Sequence, residues 1–525
     1  MLRPALLRVT VAIAAASVLA AAAGTASAMN SPPAVAPSAS LCPPPAKPGR
    51  PVALGTAEWN GWGRDGANTR YQPEPALRAT DVRKLRLKWA YALAPAASYS
   101  QPTVIGGRVF VTTSSGWVYS LAARSGCTHW ALNMAVPIDT PVVFGAIGKP
   151  VLVKRRWWRS RLHNAHIPVI EPPSAVVFGD TAGNVYALDA ERGTLLWKVA
   201  LGARSNAAVS GAPAVFNGRV YVPLTAFGTG RGAVASLDLA TGALLWRAQL
   251  PHSAAVATDG LGVSGTPTID ARRQLLYVAD RAADSVVALN LADGRALWVA
   301  AVPQTPRPGG NPLPAAKPVA RARAPRGNPP VLQSLPDGRQ VLLLANADGV
   351  NYALDPDRRG ALLWQTRVLA GAGGADWSNA ADHRKVYVAA SDRHPRAGSQ
   401  NALLAALDIA TGRVLWRKPL APKCRGPAGA CEPEQAHAVT VIPGIVFSGS
   451  VDGHLRAYST IDGLPIWDYD TGRGVRTLNS GTVRGGSLGR DGPAVVDGVV
   501  YVDAADRGAH GKAAGVLLAF SVADK

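Results

Sequence analysis

The chain has 525 residues, with 54 Gly, 42 Pro and only 17% charged side chains, a composition suited to short strands and tight turns, and no long helical periodicity runs through it. Its formal net charge is +21, which favours anionic partners, although an exported address weighs against nucleic acid. No Cys-x-x-Cys-His run occurs, so no covalently attached haem is expected.

Residues 1–28 place Arg3 and Arg8 ahead of an apolar stretch from Val9 to Ala23 and end on Ala26-Ser-Ala28. This predicts a cleaved secretory signal and a periplasmic or secreted protein. The apolar run is short and Ala-rich, and nothing later approaches a transmembrane length. Residues 29–55 are predicted to form a flexible N-terminal arm.

From residue 56 to 525 one unit recurs. A short strand ends in a polar turn and restarts on a tryptophan, most clearly in Ala187-Leu-Asp189-Ala-Glu-Arg-Gly193-Thr-Leu-Leu-Trp197, in Ser236-Leu-Asp238 through Gly242 to Trp246, and in Ala406-Leu-Asp408 through Gly412 to Trp416. Weaker copies end on Trp130, Trp298, Trp364 and Trp467, and Trp89 stands in Leu85-Arg-Leu-Lys-Trp89 with no turn before it. The basic unit is roughly 50 residues, the length of one four-stranded propeller blade. The turn Asp can bond the local backbone, and the Gly supplies a positive φ. A tryptophan is large and flat enough to fill the wedge between neighbouring blades while its N–H finds a partner. Eight such positions predict an all-β, eight-bladed β-propeller with tryptophan-docking repeats. The half missing at Trp89 is supplied by the last strand, Val516-Leu-Leu-Ala-Phe520, so the ring is closed by pairing N- and C-terminal strands.

Two insertions lengthen the repeat, at 147–172 and 303–330. The first carries Lys154-Arg-Arg-Trp-Trp-Arg-Ser-Arg161, and the second carries Arg307, Lys317, Arg321, Arg323 and Arg326 with no acid. Solvated loops and a surface for an anionic polymer or lipid are both open readings. Four cysteines in an exported chain suggest two disulfides, with three connectivities open. Cys424 and Cys431 bracket a short loop that a local bridge could close, which leaves Cys42 and Cys127 to pin the N-terminal arm.

Ligands of propellers sit at one mouth of the central channel. Candidates there are Asp280 and Arg281 after Tyr277-Val278, Asp392 and Arg393 after Tyr387-Val388, and Asp503, Asp506 and Arg507 after Tyr501-Val502. Such a ring of charges could hold an anion; ordinary ion pairs at the blade tops are the alternative. Trp377, outside the docking series, offers a flat stacking surface. His437 and His454 show no zinc spacing.

The Ala-x-Asp-x-x-Thr-Gly-x-x-x-Trp unit resembles the docking repeat of the pyrroloquinoline quinone dehydrogenases. Trp59-Asn-Gly-Trp-Gly-Arg-Asp-Gly-Ala-Asn-Thr-Arg-Tyr71, Val441-Ile-Pro-Gly-Ile-Val-Phe-Ser-Gly-Ser-Val-Asp-Gly453, Arg484-Gly-Gly-Ser487 and Gly515-Val-Leu-Leu-Ala-Phe-Ser521 resemble the polyvinyl alcohol dehydrogenase family over nearly all of the mature chain. The resemblance implies a quinone across the ring axis, a calcium ion bridging its oxygens, and hydride transfer from an alcohol or hydroxylated polymer, with an external electron acceptor. It also makes Arg484 a candidate for holding the quinone's carboxylates. Where the family carries adjacent cysteines this chain reads Leu224-Thr-Ala-Phe-Gly-Thr-Gly-Arg-Gly-Ala-Val234, and its metal-ligand strand end is replaced by Ala279-Asp280-Arg281. A second reading is therefore a non-catalytic ring that binds a periplasmic protein or a surface polymer. A monomer is expected in either case.

Overall fold

A computed structural model describes residues 40–43, 57–96, 98–148, 174–202, 207–209, 211–226, 232–251, 263, 265–280, 285–302, 329–346, 349–369, 379–391, 402–420, 438–488, 491–505 and 513–522, with short pairings at 34–35, 151–152 and 168–169. These residues form eight antiparallel sheets of four or five strands each, with two small hairpins. Successive inner strands lie side by side, from Thr103–Ile105 round to Ala494–Val496, which returns to touch Thr103–Ile105. That contact closes the ring. Blades 1 to 8 are numbered in this order.

Blade 3 shows the common plan. Ala214–Phe216 lies innermost, Arg219–Ala226 and Ala233–Asp238 follow, and Leu244–Gln249 forms the outer edge. The middle strands are buried on both faces, which is why they read as unbroken Val, Ala, Leu and Tyr rather than as alternating residues. The outer strand opens with Leu244 and Leu245 exposed.

The docking tryptophans do what their chemistry requires. Trp197 Nε1 donates to Leu239 O of the next blade at 2.9 Å, and Trp364 Nε1 to Ile409 O at 2.9 Å. Trp89, Trp130, Trp246, Trp416 and Trp467 make the equivalent bond. The turn glycine has two reasons to be glycine. Gly242 holds φ +73°, and a Cβ there would lie 2.8 Å from the Trp197 ring, closer than a real methyl tolerates.

The seam is blade 8. Three of its layers come from the C-terminal end, and its outer strand is Leu85–Ala96, paired antiparallel with Ala513–Val522 so that Leu85 faces Val522 and Ala90 faces Leu518. The N-terminal arm is tied to blade 1 by a disulfide between Cys42 and Cys127 and by Ala34–Val35, which pairs outside Thr128–Asn133. Cys424 and Cys431 lie outside the described residues, as does nearly all of both insertions. Among the described residues, no helix is long and apolar enough to cross a membrane.

Candidate functional site

The middle of the ring is filled by the chain's own N-terminal segment. Residues 59–72 travel round the inside of the channel and meet the inner strands in blade order. The Trp59 backbone exchanges two hydrogen bonds of 2.9 Å with Val104 of blade 1. The Asn60 side chain pairs with the Phe144 backbone of blade 2, and the Trp62 indole packs on Ala212 at the start of blade 3. Gly66 O then accepts from Ile269, Ala67 O from Leu332, Thr69 O from Ala381 and Arg70 O from Val441, in blades 4, 5, 6 and 7. Gln72 Nε2 reaches Val495 O of blade 8 at 3.1 Å.

The reason is the backbone of the inner strands. Each is an edge strand, and in a closed ring that edge points to the axis, where its N–H groups need acceptors. A segment of alternating periodicity could not follow so tight a circle. This one turns through positive φ at Gly61, Arg64, Asn68 and Arg70, conformations that persist for non-glycine residues only when the surroundings hold them.

Arg70 is the centre of the plug, and it is fully buried. Its Nε donates to Val439 O at 2.8 Å, Nη1 to Trp62 O, and Nη2 to Gln101 Oε1 and Thr440 Oγ1, both at 3.1 Å. The guanidinium carbon lies 4.8 Å from the Trp62 ring centroid and 5.3 Å from that of Trp59, within cation–π range. Burial lowers its pKa to about 9 against the opposing pull of Asp491, so the side chain stays cationic at neutral pH. Gly492 completes the fit: a Cβ there would sit 1.9 Å from Ala438 O and 2.5 Å from Arg70 Nη2.

Trp62 packs with both Ala212 and Ala438, which precede the inner strands of blades 3 and 7 on opposite sides of an eight-membered ring. It therefore crosses the axis as a beam at the level where the inner strands begin. Below it the plug continues to the opposite face, where the Glu58 carboxylate accepts from Gly106 N–H at 2.9 Å and burial raises its pKa to about 7.

The charged candidates at the mouth are placed unevenly. Asp280 ends Leu275–Asp280 opposite Ser285, and Asp503 stands opposite Leu517 in Val499–Ala505. Both are buried. Counted from the blade-equivalent start of each strand, Asp503 comes one residue earlier than Asp280, so the two carboxylates leave opposite faces of their sheets. Arg281, Trp377, Asp392, Arg393, Asp506, Arg507 and His437 lie outside the described residues. Arg484 is exposed on a hairpin between blades 7 and 8, opposite Gly474, and the hairpin is fixed to the outer strand of blade 8 by Asn479 bonded to the Ala92 backbone. His454 Nδ1 is 2.6 Å from Asp468 Oδ1, in a cluster with Arg456 and Asp452. No group of three or more His, Cys, Asp or Glu able to hold a metal is assembled among the described residues.

Known proteins share this architecture. The family model described as outer membrane protein assembly factor BamB matches residues 154–331 and 346–519, and that of the β-propeller domain of glucose/ethanol/alcohol dehydrogenases matches 59–194. Polyvinylalcohol dehydrogenase of a Pseudomonas species is 33% identical over 90% of this chain and 79% of its own length. The chain belongs to the polyvinyl alcohol dehydrogenase family. The polyvinylalcohol dehydrogenase of Sphingopyxis sp. strain 113P3 is likewise 33% identical, over 90% of this chain and 78% of its own. The fold is shared with quinohemoprotein alcohol dehydrogenase from Comamonas testosteroni, at TM-score 0.64 and 18% identity over 90% of this chain and 82% of that one. BamB from Moraxella catarrhalis follows at TM-score 0.51 and 16% identity, over 83% and 99%.

Membership of the polyvinyl alcohol dehydrogenase family raises the question of a quinone and a metal. The floor under the mouth, an indole backed by a buried guanidinium, suits a flat polyanion. The donors of a calcium site are not gathered among the described residues, and the chain contains no two adjacent cysteines.

Proposed function

We propose that this chain is a quinoprotein-type alcohol dehydrogenase that oxidises hydroxyl groups of an alcohol or hydroxylated polymer and passes electrons to an external acceptor. The observation that carries the reading is 33% identity to a polyvinylalcohol dehydrogenase across 90% of the chain, and residues 59–72 of the plug lie within the 59–194 match to the alcohol dehydrogenase propeller family. Pyrroloquinoline quinone, when bound, supplies a two-electron hydride acceptor. Trp62 and Arg70 would support it from below: the indole offers a flat apolar face, and the guanidinium supplies a fixed positive potential that needs no reorganisation. With Trp59 and Arg70 fully buried in it, the plug would also limit entry of water from the opposite face, which would strengthen the electrostatic interactions above it. Export by the 1–28 segment, with action in the periplasm or outside the cell, belongs to the same proposal.

Titrating the purified chain with the quinone while following tryptophan fluorescence, then adding Ca²⁺, poly(vinyl alcohol) and a reducible dye, tests this directly. Saturable one-to-one quinone binding and alcohol-dependent dye reduction are expected. Absence of saturable binding refutes the reading. A second reading, a binding ring without catalysis, is favoured by the BamB family-model match at 154–331 and 346–519 and by the missing cysteine pair. It predicts a stoichiometric protein or surface-polymer partner and no quinone binding.

A further inference from the structure

The seam between blades 8 and 1 carries a surface that the repeat does not account for. Ten large apolar side chains are exposed among the described residues. Eight of them, from Leu195 to Leu464, stand at the start of an outer strand or in the turn before it, in blades 2, 3, 4, 5 and 7. They recur because the turn-Trp unit recurs. Leu41 and Leu478, 51% and 46% exposed, are the other two, and both meet residues 126–128 of blade 1. Leu41 bridges Thr128 and immediately precedes Cys42, which is bonded to Cys127. Leu478 stands at the tip of the hairpin formed by Gly474–Arg476 and Thr482–Arg484. Its backbone N–H donates to Ala90 O of the blade 8 outer strand at 2.9 Å. Its side chain reaches blade 1, where a Cβ on Gly126 would lie 2.6 Å from Leu478 Cδ1.

Bases surround this pair. In the stretch 78–88, Arg78, Arg83, Lys84, Arg86 and Lys88 are exposed, and the one acid, Asp81, is paired with Lys84 at 3.0 Å. In the hairpin Val475 and Val483 pack on the blade 7–8 core, so strand alternation turns Arg476 and Arg484 outward. Arg124 adds an exposed base from the blade 1 turn. Residues 1–57 contain no acid, so the arm that joins blade 1 here brings no neutralising charge. The bases come from three separate stretches of chain and converge on no pocket, which suits a plane of anions rather than a single carboxylate or phosphate.

We infer that the seam between blades 8 and 1 is a docking surface for an anionic lipid bilayer, with Leu41 and Leu478 entering the headgroup boundary. Charge complementarity selects the occupant: each base held near such a surface raises partition about fivefold. The two leucines supply an apolar contact that adsorption by charge alone lacks. The course of the arm agrees with this side. Ala34–Val35 runs along the outer edge of blade 1, so the preceding sequence, with its apolar run from Val9 to Ala23, meets the ring next to the basic surface. Leu85–Ala96 is the outermost layer of blade 8, so the contact is side-on and leaves both faces of the ring clear. The inference does not depend on quinone chemistry.

The disulfide-intact chain is sedimented with vesicles of phosphatidylcholine alone and of phosphatidylcholine mixed with phosphatidylglycerol. Binding is expected to the mixed vesicles only, and it should fall steeply with added salt. Arg86→Glu combined with Lys88→Glu should weaken it at least about tenfold. Arg295→Glu combined with Arg413→Glu makes the same charge change at exposed sites of blades 4 and 6, and should leave binding within about twofold. Leu41→Ser combined with Leu478→Ser should lower it about tenfold while keeping its salt dependence. Melting midpoints confirm that each variant is folded. No binding, equal binding to both vesicle types, or equal weakening by the two charge-reversed pairs overturns the inference. Retention on immobilised polyglutamate that the seam pair abolishes, without vesicle binding, assigns the surface to an acidic protein and overturns the lipid assignment.

Discussion

Replacing Arg70 by Leu removes the tie that holds the plug to the mouth of the ring. The guanidinium satisfies Trp62 O, Val439 O, Gln101 Oε1 and Thr440 Oγ1, and each acceptor stranded by the substitution costs ~1–3 kcal/mol unless water reaches it. Against this, the variant no longer buries a charge, which offsets part of the loss. A net destabilisation of ~3–5 kcal/mol follows, within the range for removing one member of a buried charged network. A ring of this length that melts as one unit has an unfolding entropy near 1 kcal/mol/K, so the midpoint should fall by ~4 °C. Arg70→Lys keeps the charge but cannot present a planar fork to divergent acceptors, and it should recover less than half of the loss. Differential scanning calorimetry on the three proteins reads both numbers. A midpoint for Arg70→Leu within ~1 °C of the parent, or full recovery by Lys, would refute the account of the plug as a hydrogen-bonded keystone.

Gly242→Ala should destabilise by at least ~2 kcal/mol, because it combines a left-handed backbone with a methyl driven into the Trp197 ring; the urea midpoint checks it. Trp197→Phe keeps most of the wedge but strands Leu239 O, a loss of ~1–2 kcal/mol on the same denaturant scale. Glu58 has a folded pKa raised to about 7, mainly by burial with Asp497 adding to it. Its contribution is therefore fully present below the ordinary carboxylate range and is lost as pH rises through 7. Glu58→Gln should flatten the fall in melting temperature between pH 5 and 8, and an unchanged slope would remove Glu58 as its source. Reducing the Cys42–Cys127 bridge, which closes 85 residues of chain containing both the plug and the outer strand of blade 8, should cost ~2–4 kcal/mol, read as a midpoint shift in dithiothreitol.

The blades were legible in the sequence because every blade solves the same local problem with the same side chains. Trp197, Trp246 and Trp416 each need a glycine turn from the next blade beneath them, so the pattern repeats in phase and can be counted. The seam followed from one half-repeat at Leu85–Ala96 and its complement at Ala513–Val522. Pairing Cys42 with Cys127 was one of three options before the arm was seen against blade 1. The plug was not legible, although residues 59–71 stood out as a family resemblance. Its partners are spread over eight blades from Val104 to Val495, and two of its bends, at Arg64 and Arg70, use a residue type that does not announce a left-handed backbone, unlike Gly61 and Asn68. The Asp-Arg recurrence also looked more regular in one dimension than in three. Asp280 and Asp503 follow similar Tyr-Val pairs, but a one-residue offset sends their side chains to opposite faces.

Closure by Leu85–Ala96 also has a temporal consequence. During synthesis that strand emerges early, with Ala90, Tyr91 and Leu93 destined for burial, yet its partner Ala513–Val522 emerges only after all the intervening blades have been made. For most of translation the sticky edge has nothing to pair with, and a chain cut short of Val516 never acquires the strand that covers it. Truncated products would be open arcs whose two borders lack the pairing that joins the ring at blade 8. Closure of the ring is thus conditional on Ala513–Val522 being present to cover Leu85–Ala96.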